Sequence, residues 1–143
     1  MQIDETDQAL IALLSDNARL PVADLARQLG IARTTVQARI ERLLAKGALE
    51  GFTVRRGPGL RAPLRATVLV SIAPRAGAQV LSRLKTMPVV EEVHTTSGRV
   101  DMIVTLSAQS TEELDETLDR IGAVEGVKSS ESLIHLSTKI QRG

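Results

Sequence analysis

Between Leu25 and Ile40 the chain reads as two short amphipathic helices meeting at a glycine, a pattern that few folds accommodate. Val22, Leu25, Ala26 and Leu29 give the first helix one buried stripe at i, i+3, i+4, i+7 spacing, and Val36, Ile40, Leu43 and Leu44 give the second its own. Gly30 stands where the first helix must stop and turn, since glycine takes positive φ at little cost, and Ile31 can plug the corner. This is the signature of a helix-turn-helix. With Val36, Ile40 and Leu43 inward, 100° per residue points Thr34, Thr35, Ala38 and Arg42 outward, with Gln37 and Arg39 on the flanks. Threonine, glutamine and arginine can touch base edges in a major groove, and Ala38 lets the helix approach closely. An ordinary helical hairpin with a solvated face is the plain alternative.

The flanking sequence favours the nucleic-acid reading. Asp4-Glu5-Thr6-Asp7 opens an upstream helix, with Asp4 as N-cap and acids where the helix dipole favours them; Leu10, Leu13 and Leu14 give it an apolar stripe. Downstream, Lys46 to Val54 reads as a helix C-terminus at Gly47 followed by a short strand, which would complete a winged helix-turn-helix. Charge is divided unevenly. Residues 1–16 hold four acids and no base, whereas residues 17–61 hold nine Lys/Arg against three acids, a local net of +6 within a chain of net +1. Arg33, Arg39, Arg42, Lys46, Arg55, Arg56 and Arg61 place that surplus on the second helix and beyond it, as neutralising phosphates requires. A general preference of the chain for arginine is the other explanation.

A unit of this size buries a modest fraction of its surface, so a second half of the 143-residue chain is expected to help, directly or by oligomerising. The chain has no cysteine, hence no disulfide framework or thiolate metal site. The start Met1-Gln2-Ile3-Asp4 does not read as a signal peptide, and no apolar run approaches the ~18 residues of a membrane span. A cytoplasmic, nucleoid-associated protein without membrane contact is expected. Phe52 is the sole aromatic residue, so stacking platforms for single-stranded nucleic acid are missing.

Arg55 to Pro63 breaks every periodicity and reads as a linker. The expected organisation is a DNA-binding domain over 1–54, a linker over 55–63 and a second domain over 64–143. In the second domain, strands are expected at 66–72, 89–96, 100–107 and 127–137, and helices at 78–85 and from the Ser110-Thr111-Glu112-Glu113 capping box onward. The order βαββαβ is ferredoxin-like, making the whole chain α+β. Such a sheet packs its helices on one face. Leu69, Ile103 and either Val93 or Ile134 cannot all point that way, so the second face is expected to be apolar and covered by a second copy of the chain.

These fragments resemble, in order and spacing over essentially the whole chain, the Lrp/AsnC or feast/famine transcriptional regulators of bacteria and archaea. The resemblance runs through Ile3-Asp4-x-x-Asp7, Asn17-Ala18-Arg19, Leu25-Ala26, Leu29-Gly30-Ile31, Val36-x-x-Arg39-Ile40-x-x-Leu43 and Gly47-x-Leu49-x-Gly51-Phe52. It continues with Val90-x-x-Val93, Ser97-Gly98-x-x-Asp101, Gly126-Val127 and Leu136-x-x-Lys139. It implies a RAM-type second domain and a homodimer that assembles into tetramers, octamers or higher forms on double-stranded promoter DNA. It also implies a small effector, commonly an amino acid, bound near the strand-to-strand turn. Arg33, Thr34, Thr35, Gln37, Ala38, Arg39, Arg42, Lys46, Arg55 and Arg56 are then the expected DNA contacts. Thr95, Thr96, Ser97, Gly98, Arg99, Val100 and Asp101 are the expected effector contacts. Glycine exposes backbone N–H groups to a carboxylate, and an aspartate can receive an α-ammonium group; a plain hairpin turn capped by Asp101 is the structural alternative.

The chain departs from the family pattern at Arg99, Val100 and Met102, which stand where an acid and aromatics are frequent, and this allows an anionic effector or none. Ala32 replaces the usual serine cap of the second helix. An effector-independent protein that coats and organises chromosomal DNA is the alternative function. His94 and His135, near Glu91, Glu92, Asp101, Thr95 and Ser97 in sequence, lack metal-ligand spacing, and with no phosphate-cradling glycine loop neither an enzyme, a metal nor a cofactor is expected. The acidic run from Glu112 to Asp119 has the spacing of a solvated helical face.

Overall fold

A computed structural model describes residues 2–61 and 63–142; Met1, Ala62 and Gly143 lie outside the described residues, and with them one position of the expected linker and the last of the expected second domain. The chain divides between Gly57 and Pro58 into two compact units.

The first unit contains helices α1 (Glu5–Asp16), α2 (Val22–Leu29) and α3 (Arg33–Ala45). Leu10, Leu14, Leu25, Ala26, Val36 and Leu43 are buried together, with Ile3, Leu20, Val22, Ile31, Ile40 and Leu49 packed around them. Each fully buried leucine contributes about 1.5–3 kcal/mol, which is what holds such short helices. Gly30 closes α2 in the left-handed conformation (φ 68°), and the N–H groups of Gly30 and Ile31 both bond to Ala26 O, so orphan carbonyls of the last turn are satisfied. Leu44, counted in the apolar stripe, is instead half-exposed at the edge of the helix.

The short strand expected between Gly47 and Val54 is not formed: residues 48–57 carry neither helix nor strand, and Phe52 and Val54 are exposed. A strand needs a neighbour to exchange ladder bonds with, and among the described residues of the first unit no other strand is formed. The first unit is thus a helix-turn-helix without a formed wing.

Ala32 offers α3 no side-chain cap bond. Ala32→Ser is expected to stabilise the first unit by about 1 kcal/mol, raising its melting temperature by roughly 4–8 °C in a thermal melt followed by circular dichroism.

The second unit is β1 (Leu64–Ile72), α4 (Gly77–Leu84), β2 (Val90–Thr95), β3 (Met102–Ala108), α5 (Thr111–Gly122) and β4 (Val127–Ile134). The sheet order is β2-β3-β1-β4 and every pairing is antiparallel, as expected for a ferredoxin-like unit. Ala66, Val68 and Val70 of β1 and Met102, Val104 and Leu106 of β3 alternate inward against Val80, Leu84, Leu114 and Ile121 of the helices. Ser110 caps α5 by accepting the Glu113 N–H, and Glu112, Glu113, Asp115, Glu116 and Asp119 are exposed on its outer face.

The second sheet face is more polar than expected. Val93 pairs with Val104 and Ile134 with Ala66, which puts both on the helix side. Leu69, Ile103 and Leu133 are the apolar members of the other face, in register with Thr67, Thr105, Glu131 and His94. β4 also ends at Ile134 rather than continuing to Ser137, although His135 N–H still bonds to Arg65 O.

Candidate nucleic-acid interface and effector turn

α3 presents Arg33, Thr34, Thr35, Gln37 and Ala38 to solvent, all exposed, over its first two turns. Glu41 is exposed one turn further on and sets a negative charge at the edge of that surface. Lys46 is the C-cap, at the opposite end of the helix. Arg55 turns back to donate from Nη2 to Asp16 O at 2.9 Å, satisfying a carbonyl at the end of α1. Arg56 is exposed.

Arg42 departs from its expected outward placement, and Arg39, expected on a flank, is engaged there by two acids. Arg39 Nη1 lies 2.9 and 2.8 Å from the two carboxylate oxygens of Asp4 and 2.9 Å from Asp7 Oδ1. Arg42 Nη2 donates to Asp7 Oδ2 at 2.6 Å. Asp7 is fully buried, while the side chains of Arg39 and Arg42 retain 24% and 46% exposure. The 100° rule puts Arg39 on a flank and Arg42 on the outward face, but it does not say what lies alongside the helix. α1 does, and it brings the two acids of the Asp4-x-x-Asp7 pair. The same acids form a reciprocal capping box: Asp4 Oδ1 accepts the Asp7 N–H at 2.7 Å and Asp7 Oδ2 accepts the Asp4 N–H at 3.3 Å. The purely acidic start of the chain was the available signal for this network.

The Arg39 guanidinium, with help from the Asp7 N–H, lowers the Asp4 pKa from 3.8 to about 2, and the same carboxylates, Asp4 first and Asp7 second, push Arg39 further up. A depressed carboxylate stabilises the fold fully above its ordinary pKa and loses that stabilisation as pH falls through its folded value. Asp4 therefore contributes above about pH 4, and its contribution disappears on the way down to about pH 2. Acid titration of thermal stability over that window should fall less steeply in Asp4→Asn than in the natural chain.

In the second unit, the turn between β2 and β3 brings the expected effector residues together. Gly98 adopts φ 110° with open space around it. Thr96 N–H bonds to Asp101 O at 3.0 Å and Thr96 Oγ1 donates to Val100 O at 2.9 Å, which closes the turn. Asp101 N–H bonds to Val70 O, and its Oδ2 accepts the Ile72 N–H at 2.9 Å where the β1–β4 register shifts. Asp101 thus ties the end of β1, and part of its acceptor capacity is already used. Arg99 reaches Glu131 of β4 at 3.4 Å. Thr95 and Ser97 are exposed, while Thr96 and Val100 are half-buried.

His94 contacts Glu92 at 3.1 Å and His135 contacts Thr67 Oγ1 at 2.8 Å, each in a separate exposed pair rather than in one site. Two open grooves lie elsewhere in this unit. One of about 450 Å³ is lined by Gln79, Ser82, Arg83, Ala123, Val124 and Glu125, and one of about 290 Å³ by residues of α4 and β2. Among the described residues no group of acids and histidines is arranged to hold a metal ion, and no helix is long and apolar enough to cross a membrane.

Residues 3–44 match the AsnC-type helix-turn-helix domain and residues 65–143 match the Lrp/AsnC ligand binding domain. The chain belongs to the Lrp/AsnC family. The HTH-type transcriptional regulator LysM of Saccharolobus solfataricus is 31% identical over 137 residues, 95% of this chain and 95% of that protein. The HTH-type transcriptional regulator FL11 of Pyrococcus furiosus is 30% identical over 135 residues, 94% and 89% of the two chains. Among solved structures, E. coli AsnC has the same fold, with a TM-score of 0.89 at 24% identity over 100% of this chain and 98% of that one. A feast or famine regulatory protein from M. tuberculosis complexed with L-methionine gives 0.85 at 25% identity over 98% and 96%. This Lrp/AsnC chain is therefore a DNA-binding transcriptional regulator with a ligand-binding domain, in a family of regulators and not of enzymes.

Proposed function

We propose that this Lrp/AsnC regulator binds promoter DNA selectively through the exposed first two turns of α3, acting in the cytoplasm as an oligomer that responds to a small metabolite. The observation that carries the reading is the row Arg33, Thr34, Thr35, Gln37 and Ala38, exposed together on one helix over a buried apolar core. It combines a cation, two hydroxyl and methyl pairs, an amide and a small residue, which suits base edges approached closely in a major groove. Lys46 and Arg56 are assigned to the phosphate backbone.

An amino-acid effector is supported by the exposed Gly98 backbone and by Asp101, whose carboxylate has acceptor capacity beyond its one bond to Ile72. The L-methionine bound by the M. tuberculosis relative points to the same chemical class. Arg99 beside Glu131 adds a cation at the turn, which suits a second carboxylate on the effector. Leu69, Ile103 and Leu133 on the otherwise polar second sheet face favour a homodimer there.

The test is binding of the variants Arg33→Ala and Gln37→Ala to a fluorescent fragment of the DNA upstream of the chain's own gene. Each should lose at least about tenfold in affinity, as expected for a lost base contact. Unchanged affinity in both would place DNA on another surface.

A further inference from the structure

Asp7 sits fully buried between two cations that project from successive turns of α3, and Asp4 closes on the first of them. Two physical consequences follow from that placement. A helix rotated by one residue turns by 100°, which would carry both guanidinium groups off Asp7. The four charges therefore fix the rotation of α3 about its axis, and with it the row that faces outward from Arg33 to Ala38. Two cations are also matched by two anions at 2.6–2.9 Å, so within a Debye length they nearly cancel. Arg39 and Arg42 then add little to the non-specific attraction of phosphates, although they lie on the recognition helix.

We propose that Asp4 and Asp7 are positioning residues for DNA recognition. They hold Arg39 and Arg42 away from the phosphate backbone and set the angle at which the α3 row meets the bases, so that binding depends on sequence more than on charge. The inference rests on the DNA reading given above. It differs from that reading in assigning the selectivity partly to α1, which carries no expected contact.

The experiment compares the natural chain with Asp7→Asn and with Asp4→Asn, each checked for its fold by circular dichroism. Asn caps a helix as well as Asp, so Asp4→Asn removes a charge while keeping the cap. Anisotropy is measured on the upstream fragment and on a random duplex of equal length over a salt series. The expected result is a drop of about tenfold in the ratio of selective to random affinity. Tighter random-duplex binding at low salt should accompany it, with a salt slope steeper by up to about 0.9 for each arginine that moves to a phosphate. Asp4→Asn should change both in the same direction and by less. If the two affinities fall together, or neither changes, with unaltered slopes, the acids serve only the fold and the proposal is overturned. Failure of the natural chain itself to discriminate between the two duplexes would instead contradict the DNA reading and remove this inference with it.

Discussion

Replacing Gly126 by alanine is expected to destabilise the second unit by about 3 kcal/mol, from two separable causes. Gly126 precedes β4 with φ 101°, a conformation that side chains with a Cβ rarely adopt. An added Cβ would also stand 2.8 Å from Ala76 Cβ and 3.1 Å from Val80 Cγ2. Neither neighbour can yield cheaply, since Val80 is fully buried and the Gly126 carbonyl accepts the Ala73 N–H at 2.8 Å. The close approach is what lets β4 start against α4. Gly98→Ala isolates the backbone term: φ is 110° there but nothing lies within 4 Å, so a loss of only about 1 kcal/mol is expected. Urea denaturation of both variants measures the difference. Equal losses would mean that the contact with Ala76 relaxes without cost.

Asp7→Ala should cost the first unit about 3 kcal/mol, near the low end for breaking a buried ion pair. The substitution strips two guanidinium groups of charge-assisted bonds at 2.9 and 2.6 Å and the capping box of one of its two acceptors. Arg39 and Arg42 retain a route to water through their exposed portions, which is why the loss stays at the lower end. The same route explains why the network is a device of orientation more than of net stability: charges taken from water recover little on pairing. Chemical denaturation followed at helix wavelengths reads the effect, and a variant as stable as the natural chain would show that α1 is held by its leucines alone.

What was legible in the residues was whatever depends on a local period. The helical stripe around Val36 and Leu43, the glycine stop at Gly30, the capping box at Ser110 and the strand alternation of Ala66, Val68 and Val70 all follow from neighbours in sequence. What was not legible depends on partners distant in the chain. The outward direction assigned to Arg42 ignored Asp7, 35 residues away, which the fold brings to the same flank. The period of two leaves Val93 and Ile134 as alternatives for the second sheet face, yet the ladder registers with Val104 and Ala66 put both on the helix side. Phe52-Thr53-Val54 has the composition of a strand, but among the described residues of the first unit there is no other strand to pair with. At the effector turn, the place of Asp101 after Gly98 singles it out in the sequence, but its bond to Ile72 depends on the register of β1.

The most direct test of the account is the affinity of the natural chain for a fluorescent duplex taken from upstream of its own gene. It is set against a random duplex, at rising salt, with and without a millimolar pool of amino acids. The account predicts binding to the upstream duplex tighter by about a thousandfold or more, weakening of both with salt, and a shift in affinity when the pool is added. Selective binding that ignores the pool would contradict the effector reading at the Gly98 turn. Equal affinity for the two duplexes would contradict the central claim and favour a protein that coats DNA without regard to sequence.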